Sequence, residues 1–244
     1  MKDKVVVITG AGSGLGRELA KVFVSEGAKV IGLGRSSEKL KQTSEELASD
    51  NFDFYVADVG HVEQVESTIA TILAKYGRID VLFNNAAVYP KVNFLNESAG
   101  GFSEALNTNV NGIAFTCKSV LPAMIKNGYG RIFNVGSWAD LAPIADSVVY
   151  SASKGAVHAL TKGIAVDVVK PDVDVEIHEW IPGHLNTQMS DYTGMEPAMA
   201  ASWAVGLVNK THPMHKHQIY MGNQLWQPPK GLKDKIKSKL MFWK

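Results

Sequence analysis

The amino-acid sequence predicts an α/β fold in which helices cover both faces of one doubly wound parallel sheet. Two observations support this prediction. Short apolar segments rich in β-branched residues alternate with longer segments of helical periodicity over most of the chain. No Pro/Ser-rich linker and no internal repeat interrupts this alternation, so the sequence predicts a single domain.

Each predicted strand is apolar on both faces, as expected for a parallel sheet that is buried between helices. The strands cover residues 5–9, 29–33, 53–57, 81–84, 131–135, 173–180 and, last in the chain, 218–221. The predicted helices cover residues 15–25, 38–49, 62–76, 102–126 and 150–170. Right-handed crossovers then place helices on both faces of the sheet. Residues 184–213 break the pattern and are expected to form a substrate loop with one or two short helices.

The composition narrows the classes of function. The chain has 244 residues, a hydrophobic fraction of 45% and a formal net charge of +1. A chain of this size can bury a substantial core, and its near-zero net charge argues against nucleic acid as the main partner. Cys117 is the only cysteine, which excludes an intrachain disulfide and favours a cytoplasmic location. No apolar segment is long enough for a transmembrane helix or a signal-peptide core.

A glycine cluster follows the first predicted strand and opens the first helix. It reads Thr9-Gly10-Ala11-Gly12-Ser13-Gly14-Leu15-Gly16, with the spacing T-G-x-x-x-G-x-G rather than G-x-G-x-x-G. Glycines in such a turn let the backbone approach a phosphate, and the helix N-terminus offers unpaired N–H groups and a partial positive charge. The cluster therefore predicts a Rossmann-like dinucleotide site. A flexible turn that binds no ligand is the alternative.

The end of the second predicted strand indicates which dinucleotide binds. An acidic residue there would bind the ribose 2′-hydroxyl of NAD, but residues 30–35 contain no carboxylate. Arg35 stands there instead, and a guanidinium suits a 2′-phosphate. The sequence therefore favours NADP(H), with NAD(H) possible if Arg35 is an ordinary loop arginine. Arg17, in the first turn of the preceding helix, either assists Arg35 or is a surface residue.

A serine, a tyrosine and a lysine are predicted to meet in the same crevice. Tyr150 and Lys154 are four residues apart on a predicted helix, so their side chains share one face. A nearby ammonium favours the phenolate, so we expect Lys154 to lower the pKa of Tyr150 and make it an acid/base near neutral pH. Ser137 follows the strand at residues 131–135, and its hydroxyl is expected to point into the crevice.

With the glycine cluster upstream, the sequence resembles the classical short-chain dehydrogenase/reductase family over about residues 1–190. Asp58-Val59 resembles the family's adenine-contacting pair, and Asn84-Asn85-Ala86-Ala87 resembles its N-N-A-G segment. Asn109-Val110-Asn111-Gly112 resembles the stretch with the catalytic asparagine, and Pro182-Gly183 with Thr187 resembles the segment that holds the nicotinamide amide. The cofactor-binding residues that this resemblance implies are Gly10, Ser13, Gly14, Leu15, Gly16, Arg35, Asp58, Val59, Asn85, Ala86, Tyr150, Lys154, Pro182, Gly183 and Thr187.

The resemblance also implies a catalytic tetrad of Asn109, Ser137, Tyr150 and Lys154. In it, Tyr150 protonates a carbonyl oxygen during reduction or deprotonates an alcohol during oxidation. Lys154 tunes Tyr150 and holds the nicotinamide ribose, Ser137 hydrogen-bonds the substrate oxygen, and Asn109 supports a water that relays protons to Lys154. The implied protein is an NADP(H)-dependent oxidoreductase of a small-molecule carbonyl or alcohol, assembled as a homodimer or homotetramer. A non-catalytic NAD(P)-sensing binding protein on the same fold is the alternative.

One residue beside the predicted catalytic serine departs from the family pattern. Gly136 stands where serine is common, and this leaves room for substrate or weakens a supporting hydrogen bond. Three nearby histidines are a separate feature, because metal binding needs convergent geometry and usually a further ligand. They are expected to lie in a solvated loop and to bind no metal: His212, His215 and His217.

The chain also continues past the last predicted strand, so the predicted catalytic domain covers residues 1–229 and a tail covers residues 230–244. This tail is rich in lysine, and Leu232, Ile236 and Leu240 fall on one side of a basic amphipathic helix pattern. The tail is expected to dock on its own or a partner subunit. Contact with an anionic membrane surface is the alternative.

Overall fold

The strands of the sheet form where the sequence predicts them. The computed structural model describes residues 1–168, 172–210 and 217–227. Its strands are β1 (Val5–Thr9), β2 (Lys29–Gly34), β3 (Phe52–Val56), β4 (Val81–Asn84), β5 (Tyr129–Val135), β6 (Asp174–Ile181), β7 (Ile219–Met221) and β8 (Gln224–Leu225). Within the described residues they form one sheet in the order β3-β2-β1-β4-β5-β6-β7-β8. Strands β1 to β7 run parallel, and β8 pairs antiparallel with β7.

Helices cover both faces of this sheet, which confirms the predicted doubly wound α/β fold. They are α1 (Gly14–Ser25), α2 (Ser37–Leu47), α3 (Val62–Tyr76), α4 (Ala99–Leu106), α5 (Gly112–Asn127), α6 (Val148–Val168) and α7 (Pro197–Val208). The core on one face contains side chains of α1, α2 and α7, and the core on the other contains side chains of α3, α5 and α6. The described residues therefore form a single domain with two core layers.

Strand β1 shows why its residues are apolar at every position. Val6 and Ile8 pack in the core layer of α1 and α7, whereas Val5 and Val7 pack in the layer of α3, α5 and α6. All four side chains are buried, because successive residues of a strand point to opposite faces and both faces carry helices.

The structure differs from the prediction within residues 102–126 and after the last predicted strand, and it contains a helix in the substrate loop, where one or two were expected. The helix predicted at residues 102–126 is a longer rod, in which a π turn (Asn107–Asn111) joins α4 to α5. The predicted substrate loop contains α7, which packs on α1. The strand predicted to be last is followed by a turn at Gly222 (φ +58°) into β8. Residues 211–213 of the predicted loop and the tail at residues 230–244 lie outside the described residues.

The fold creates a crevice between the carboxyl ends of β1 and β4. These two strands are neighbours, and the strand order runs outward from them in opposite directions. Such a switch point is where doubly wound sheets bind ligands, because the loops after the two strands diverge to opposite faces. In residues 1–168, 172–210 and 217–227, no helix combines the length and apolar character needed to span a bilayer.

Candidate active site

The glycine turn after β1 is fixed to the segment that follows β4. The Thr9 hydroxyl accepts hydrogen bonds from the main-chain N–H groups of Asn85 and Ala86, each at 3.0 Å. The Asn85 side-chain amide donates to the Thr9 carbonyl oxygen at 2.9 Å. A side chain at Gly16 would overlap the Gly10 carbonyl oxygen, so only glycine allows this close approach of α1 to the turn. The predicted cofactor residues on these two segments are therefore brought together.

The N-terminus of α1 remains open toward the crevice. Ser13 occupies the N-cap position, but its side chain makes no capping hydrogen bond, and the first turn contains no acidic residue. By contrast, Ser36 caps α2 and Ser98 caps α4 through their side chains. Uncapped N–H groups and the positive end of the helix dipole suit an anion. The Thr187 methyl group lies over this turn, because a Cβ placed at Gly14 would be 3.2 Å from it. These residues fit the pyrophosphate of a dinucleotide.

Arg35 lies among carboxylates at the far end of the crevice. Its Nη1 atom is 3.8 Å from Asp58 Oδ2 and 3.7 Å from Glu104 Oε1, and half of the side chain is exposed. The other Asp58 carboxylate oxygen accepts from the Gly60 N–H at 2.9 Å. A cavity of about 250 Å³ opens beside Asp58 and Glu104. The Val59 side chain is buried against Gly112, so its predicted contribution to cofactor binding rests on its main chain.

The structure shows that Arg17 belongs to the packing of α1 on α2. Its guanidinium donates to the Gly12 carbonyl oxygen at 2.7 Å, to Thr43 Oγ1 at 3.1 Å and to Glu46 Oε1 at 2.6 Å. It also donates to Gln42 at 3.0 Å. Because these groups accept its N–H donors, Arg17 is not placed to assist Arg35. Its guanidinium instead holds α1 against α2.

Ser137, Tyr150 and Lys154 meet beside the carboxyl end of β5. The Ser137 hydroxyl accepts from the Ala139 N–H at 3.1 Å, and it lies near enough to the Tyr150 phenol to lower the pKa of that group. Lys154 is buried and donates from Nζ to the Val135 carbonyl oxygen at 2.8 Å. The same ammonium lies 5.5 Å from the centre of the Tyr150 ring. Spacing of four residues on α6 thus places Tyr150 and Lys154 on the face that meets β5.

The electrostatics of these groups differ from the expectation that Lys154 lowers the pKa of Tyr150. Burial raises the pKa of Tyr150, while the hydrogen bond from Ser137 lowers it and the nearby Tyr89 raises it further. Burial lowers the pKa of Lys154 from 10.5 to about 8, and the carboxylate of Glu179 opposes this effect. Desolvation outweighs attraction here, because the ammonium points toward the Val135 carbonyl oxygen rather than toward the phenol oxygen.

The π turn directs Asn109 into the site. Its side-chain oxygen accepts from the Val88 N–H at 2.8 Å, and its Nδ2 donates to the Val88 carbonyl oxygen at 2.9 Å and to Ser153 Oγ at 3.0 Å. Asn107 and Asn111 instead bond to each other at the surface. Asn109 therefore ties the loop after β4 to α6, and both N–H donors of its side-chain amide are engaged.

Pro182 and Gly183 follow β6, and Gly183 has a positive φ of 104° that favours glycine. After them, Thr187 is brought against Gly14, whereas Met189 and Tyr192 are exposed. Met195 packs at the edge of the α1 and α7 core. His217 contacts the Ile177 carbonyl oxygen through Nδ1 at 3.0 Å, whereas His212 and His215 lie outside the described residues.

Two side chains near Tyr150 and Lys154 were missed by the sequence analysis. The Tyr89 ring stacks on the Tyr150 ring with 4.4 Å between their centres. Glu179 is a buried carboxylate on β6 that acts on Lys154. A charged residue inside a predicted buried strand was the available signal for Glu179, whereas Tyr89 gave none, because the contact depends on how the loop after β4 folds.

Comparison with known proteins agrees with this geometry. A family model for short chain dehydrogenase matches residues 4–197. The chain belongs to the short-chain dehydrogenase family. An uncharacterised oxidoreductase of Staphylococcus aureus (strain MRSA252) is 30% identical over 190 residues, which are 78% of this chain and 81% of that protein. One from Staphylococcus saprophyticus is 30% identical over 196 residues, covering 79% and 83%.

Solved structures of short-chain dehydrogenases have the same fold. ElxO with NADP bound is 29% identical, with a TM-score of 0.81 over 91% of this chain and 97% of that one. Levodione reductase is 26% identical, with a TM-score of 0.82 over 91% and 96%. A metagenomic short-chain oxidoreductase in complex with NADP is 25% identical, with a TM-score of 0.79 over 92% and 99%. The chain is therefore an oxidoreductase of this family.

Proposed function

We propose that this short-chain dehydrogenase is an NADP(H)-dependent oxidoreductase that interconverts a small-molecule carbonyl and its alcohol, with Tyr150 as the acid/base. The observation that carries the proposal is the cluster beside β5. The Ser137 hydroxyl lies near enough to the Tyr150 phenol to lower its pKa, and the buried Lys154 ammonium lies 5.5 Å from the centre of the same ring. This cluster adjoins a crevice that begins at the open N-terminus of α1.

The glycine turn and the loop after β6 support cofactor binding. Main-chain groups of Gly10, Ser13, Gly14, Leu15 and Gly16 would hold the pyrophosphate at the positive end of α1. Asn85 and Ala86 are fixed to the same turn through Thr9. Across the crevice, Pro182, Gly183 and Thr187 would hold the nicotinamide amide, and Thr187 already contacts the turn at Gly14. When bound, the nicotinamide donates or accepts the hydride.

The surroundings of Arg35 support a preference for NADP(H). No carboxylate stands at the end of β2, and the Arg35 guanidinium is half exposed without a hydrogen bond to Asp58 or Glu104 at 3.8 and 3.7 Å. A 2′-phosphate would accept two hydrogen bonds from the guanidinium. Asp58 and Val59 would then face the adenine. Two similar structures contain NADP, and the preference proposed for this chain rests on Arg35.

The protonation states support a division of roles among the tetrad. Because burial raises the pKa of Tyr150, its phenol holds a proton at neutral pH and can donate it to a carbonyl oxygen during reduction. Ser137 would donate a second hydrogen bond to the same oxygen as negative charge develops. Lys154 is charged below its pKa of about 8, and its ammonium would hold the nicotinamide ribose beside Tyr150. Asn109 would support a relay water through an acceptor group, because both N–H donors of its side-chain amide are engaged.

The loops around this cluster favour a substrate with an apolar body. Leu141 and Ile144 are 71% and 70% exposed, and they lie on the segment between Ser137 and Tyr150. Phe94 and Leu95 are exposed on the loop after β4. Both loops leave the carboxyl edge of the sheet, where the crevice opens. Apolar side chains at this edge would cover the non-reacting part of a carbonyl substrate.

The substitution Tyr150→Phe tests the proposed role directly. We expect the rate with NADPH and apolar ketones or aldehydes to fall by about 10²- to 10⁴-fold, since the proton donor is lost. NADPH affinity, measured by fluorescence titration, should change little because the ring remains. Tyr55→Phe, on β3 at the edge of the sheet, is the matched control and should retain its rate. Substantial turnover by Tyr150→Phe would refute the acid/base role. Tight NADPH binding without turnover of any carbonyl by the unchanged protein would favour the NAD(P)-sensing alternative.

The assembly and location are part of the same proposal. Val166 of α6 is 76% exposed, and a homodimer or homotetramer would cover this apolar surface. A cytoplasmic location suits a buried, unpaired Cys117. Removing residues 230–244 tests the tail. A change in oligomer size would support docking on a partner subunit, and a loss of binding to anionic vesicles would support membrane contact. No change in either measurement by sedimentation would leave the tail without a role in assembly or membrane binding.

A further inference from the structure

The space beside Gly136 is occupied by a buried carboxylate. A side chain at Gly136 would overlap Glu179 Oε1, so a serine at this position is incompatible with Glu179 in its present place. Strands β5 and β6 bring the two together, because Val135 pairs with Trp180 and the Gly136 N–H donates to the Trp180 carbonyl oxygen at 2.8 Å. The absence of a side chain at Gly136 therefore leaves no room for substrate, contrary to one of the two consequences expected from the sequence. It makes room for Glu179.

Glu179 links the face of α6 that carries Tyr150 and Lys154 to His158, which is partly exposed at the surface. Its Oε2 atom is 2.7 Å from Nδ1 of His158, and the His158 side chain is 43% exposed while that of Glu179 is 2% exposed. Tyr150, Lys154 and His158 follow one another at intervals of four residues on α6, so they form one stripe. The Glu179 carboxylate therefore lies behind this stripe, in contact with His158 and within electrostatic range of Lys154.

The buried ammonium group of Lys154 needs a nearby negative charge such as that of the Glu179 carboxylate. The side chain is buried, and its ammonium donates to one main-chain oxygen, that of Val135. A buried ammonium that lacks an anion loses its proton readily. The roles proposed for Lys154 beside Tyr150 and at the ribose require the charged form of its ammonium group. A carboxylate on the neighbouring strand meets this need without occupying the crevice.

We propose that Glu179 is a positioning residue of the reaction: held by His158, its carboxylate supplies the negative charge that keeps the Lys154 ammonium protonated behind Tyr150. This inference rests on the proposed function and assigns a role to two residues outside the predicted tetrad. Burial is the largest effect on Glu179 and raises the pKa of its carboxyl group, as does the carboxylate of Asp140, whereas His158 and Lys154 both favour the ionised form. His158 is in turn faced by charged or titratable groups of α6, β6 and the segment before β7: Lys162, Glu179 and His217.

The titration of Lys154 in the cofactor-free protein tests the charge directly. Lysine labelled with ¹³C at Cε reports each ammonium by NMR, and Lys154→Met assigns its signal. We expect the pKa of Lys154 to fall by about one pH unit in Glu179→Gln, because the amide keeps the shape and removes the charge. His158→Ala should lower it in the same direction, since Glu179 then takes up a proton more easily. Asp140→Asn is the matched control and should not lower it. An unchanged Lys154 titration in Glu179→Gln would overturn the proposal.

A second set of variants separates charge from packing. Gly136→Ala should displace the Glu179 carboxylate and lower both the thermal stability and the pKa of Lys154. In Gly136→Ala/Glu179→Ala the overlap is gone, so stability should recover relative to Gly136→Ala alone, while the pKa of Lys154 should stay low. Recovery of both properties in the double variant would assign Glu179 a purely structural role and refute the proposal.

The pH dependence of activity gives a separate test in the enzyme with NADPH bound. With NADPH and a carbonyl substrate, kcat/KM should fall as pH rises through the pKa of Lys154, and Glu179→Gln should move this alkaline limb to lower pH. An equal loss at every pH, with the limb unmoved, would contradict the proposal. Should the unchanged protein turn over no carbonyl, the proposed function fails, and the NMR titration still decides whether Glu179 sustains the charge of Lys154.

Discussion

Replacing Lys154 with methionine removes a buried cation and keeps a side chain of similar length. Burial holds the pKa of Lys154 near 8 in the folded protein, against 10.5 for an ordinary lysine. The folded protein thus releases this proton near pH 8, while the unfolded chain holds it to about pH 10.5. Unfolding takes up a proton between these values, so the stability of the unchanged protein rises with pH in this window.

The size of the effect follows from the difference of about 2.5 pH units between the two pKa values. Each unit corresponds to about 1.4 kcal/mol, so the charged Lys154 destabilises the fold by about 3 kcal/mol at pH 7. At pH 10 this cost falls to about 1 kcal/mol, because the folded form is then neutral and the unfolded form is close to losing its proton. Lys154→Met also loses the hydrogen bond to Val135, which costs about 1 kcal/mol at either pH.

Urea unfolding of both proteins at pH 7 and pH 10 measures these terms. We expect Lys154→Met to be more stable than the unchanged protein at pH 7, and this advantage should shrink by about 2 kcal/mol at pH 10. Lys118→Met, on an exposed lysine of α5, is the matched control. A variant that is destabilised equally at both pH values, or a control with the same pH-dependent gap, would refute the reasoning. The extra stability should coincide with lost activity, as expected where function requires a costly buried charge.

Three further predictions concern the cofactor end and the core. Arg35→Ala should lower the preference for NADPH over NADH by about tenfold, and an unchanged ratio in fluorescence titrations would exclude a contact with the 2′-phosphate. Gly16→Ala should cost about 1–3 kcal/mol in urea unfolding and weaken cofactor binding, because the added Cβ overlaps the Gly10 carbonyl oxygen. Gly163→Ala on α6, where a Cβ meets nothing within 4 Å, should be neutral or stabilising. Burial raises the pKa of Cys117 to about 12, so a thiol reagent should label it only as fast as the protein unfolds, and rapid labelling of the folded protein would contradict its burial.

The parallel sheet could be predicted because both of its faces are buried. An apolar residue at every position of a short segment, as in β1, distinguishes such a strand from a half-exposed one. Helix α7 lacked a comparable signal. It is rich in small residues, among them Ala200, Ala201 and Ala204, which allow it to lie close to α1 and show no clear apolar period.

The candidate site was predictable where a motif fixes the backbone and less so where it depends on contacts between distant segments. The glycine turn and the Tyr150–Lys154 spacing follow from local sequence. The π turn inserts one residue into a helical rod, so periodicity alone did not separate Asn109 from Asn107 and Asn111. The expected effect of Lys154 on Tyr150 was wrong because the sequence shows spacing but does not show desolvation or the direction of the ammonium.

The loop after β6 is closed at its base by backbone hydrogen bonds. The Asn186 N–H donates to the Met195 carbonyl oxygen at 2.7 Å, and the Met195 N–H donates to the His184 carbonyl oxygen at 2.9 Å. Beyond this base the chain is anchored again, because α7 packs along α1. Residues 187–194 thus project from a hydrogen-bonded base, as in an Ω-loop.

Two residues of this loop are also joined to each other. Thr187 and Tyr192 are joined within it by a main-chain hydrogen bond of 2.8 Å. Thr187 contacts the glycine turn at Gly14, while Tyr192 is exposed on the same loop. Any tilt of the loop that displaces Tyr192 therefore also shifts Thr187 relative to the start of α1. The orientation of this loop and the packing of Thr187 on the glycine turn are therefore coupled.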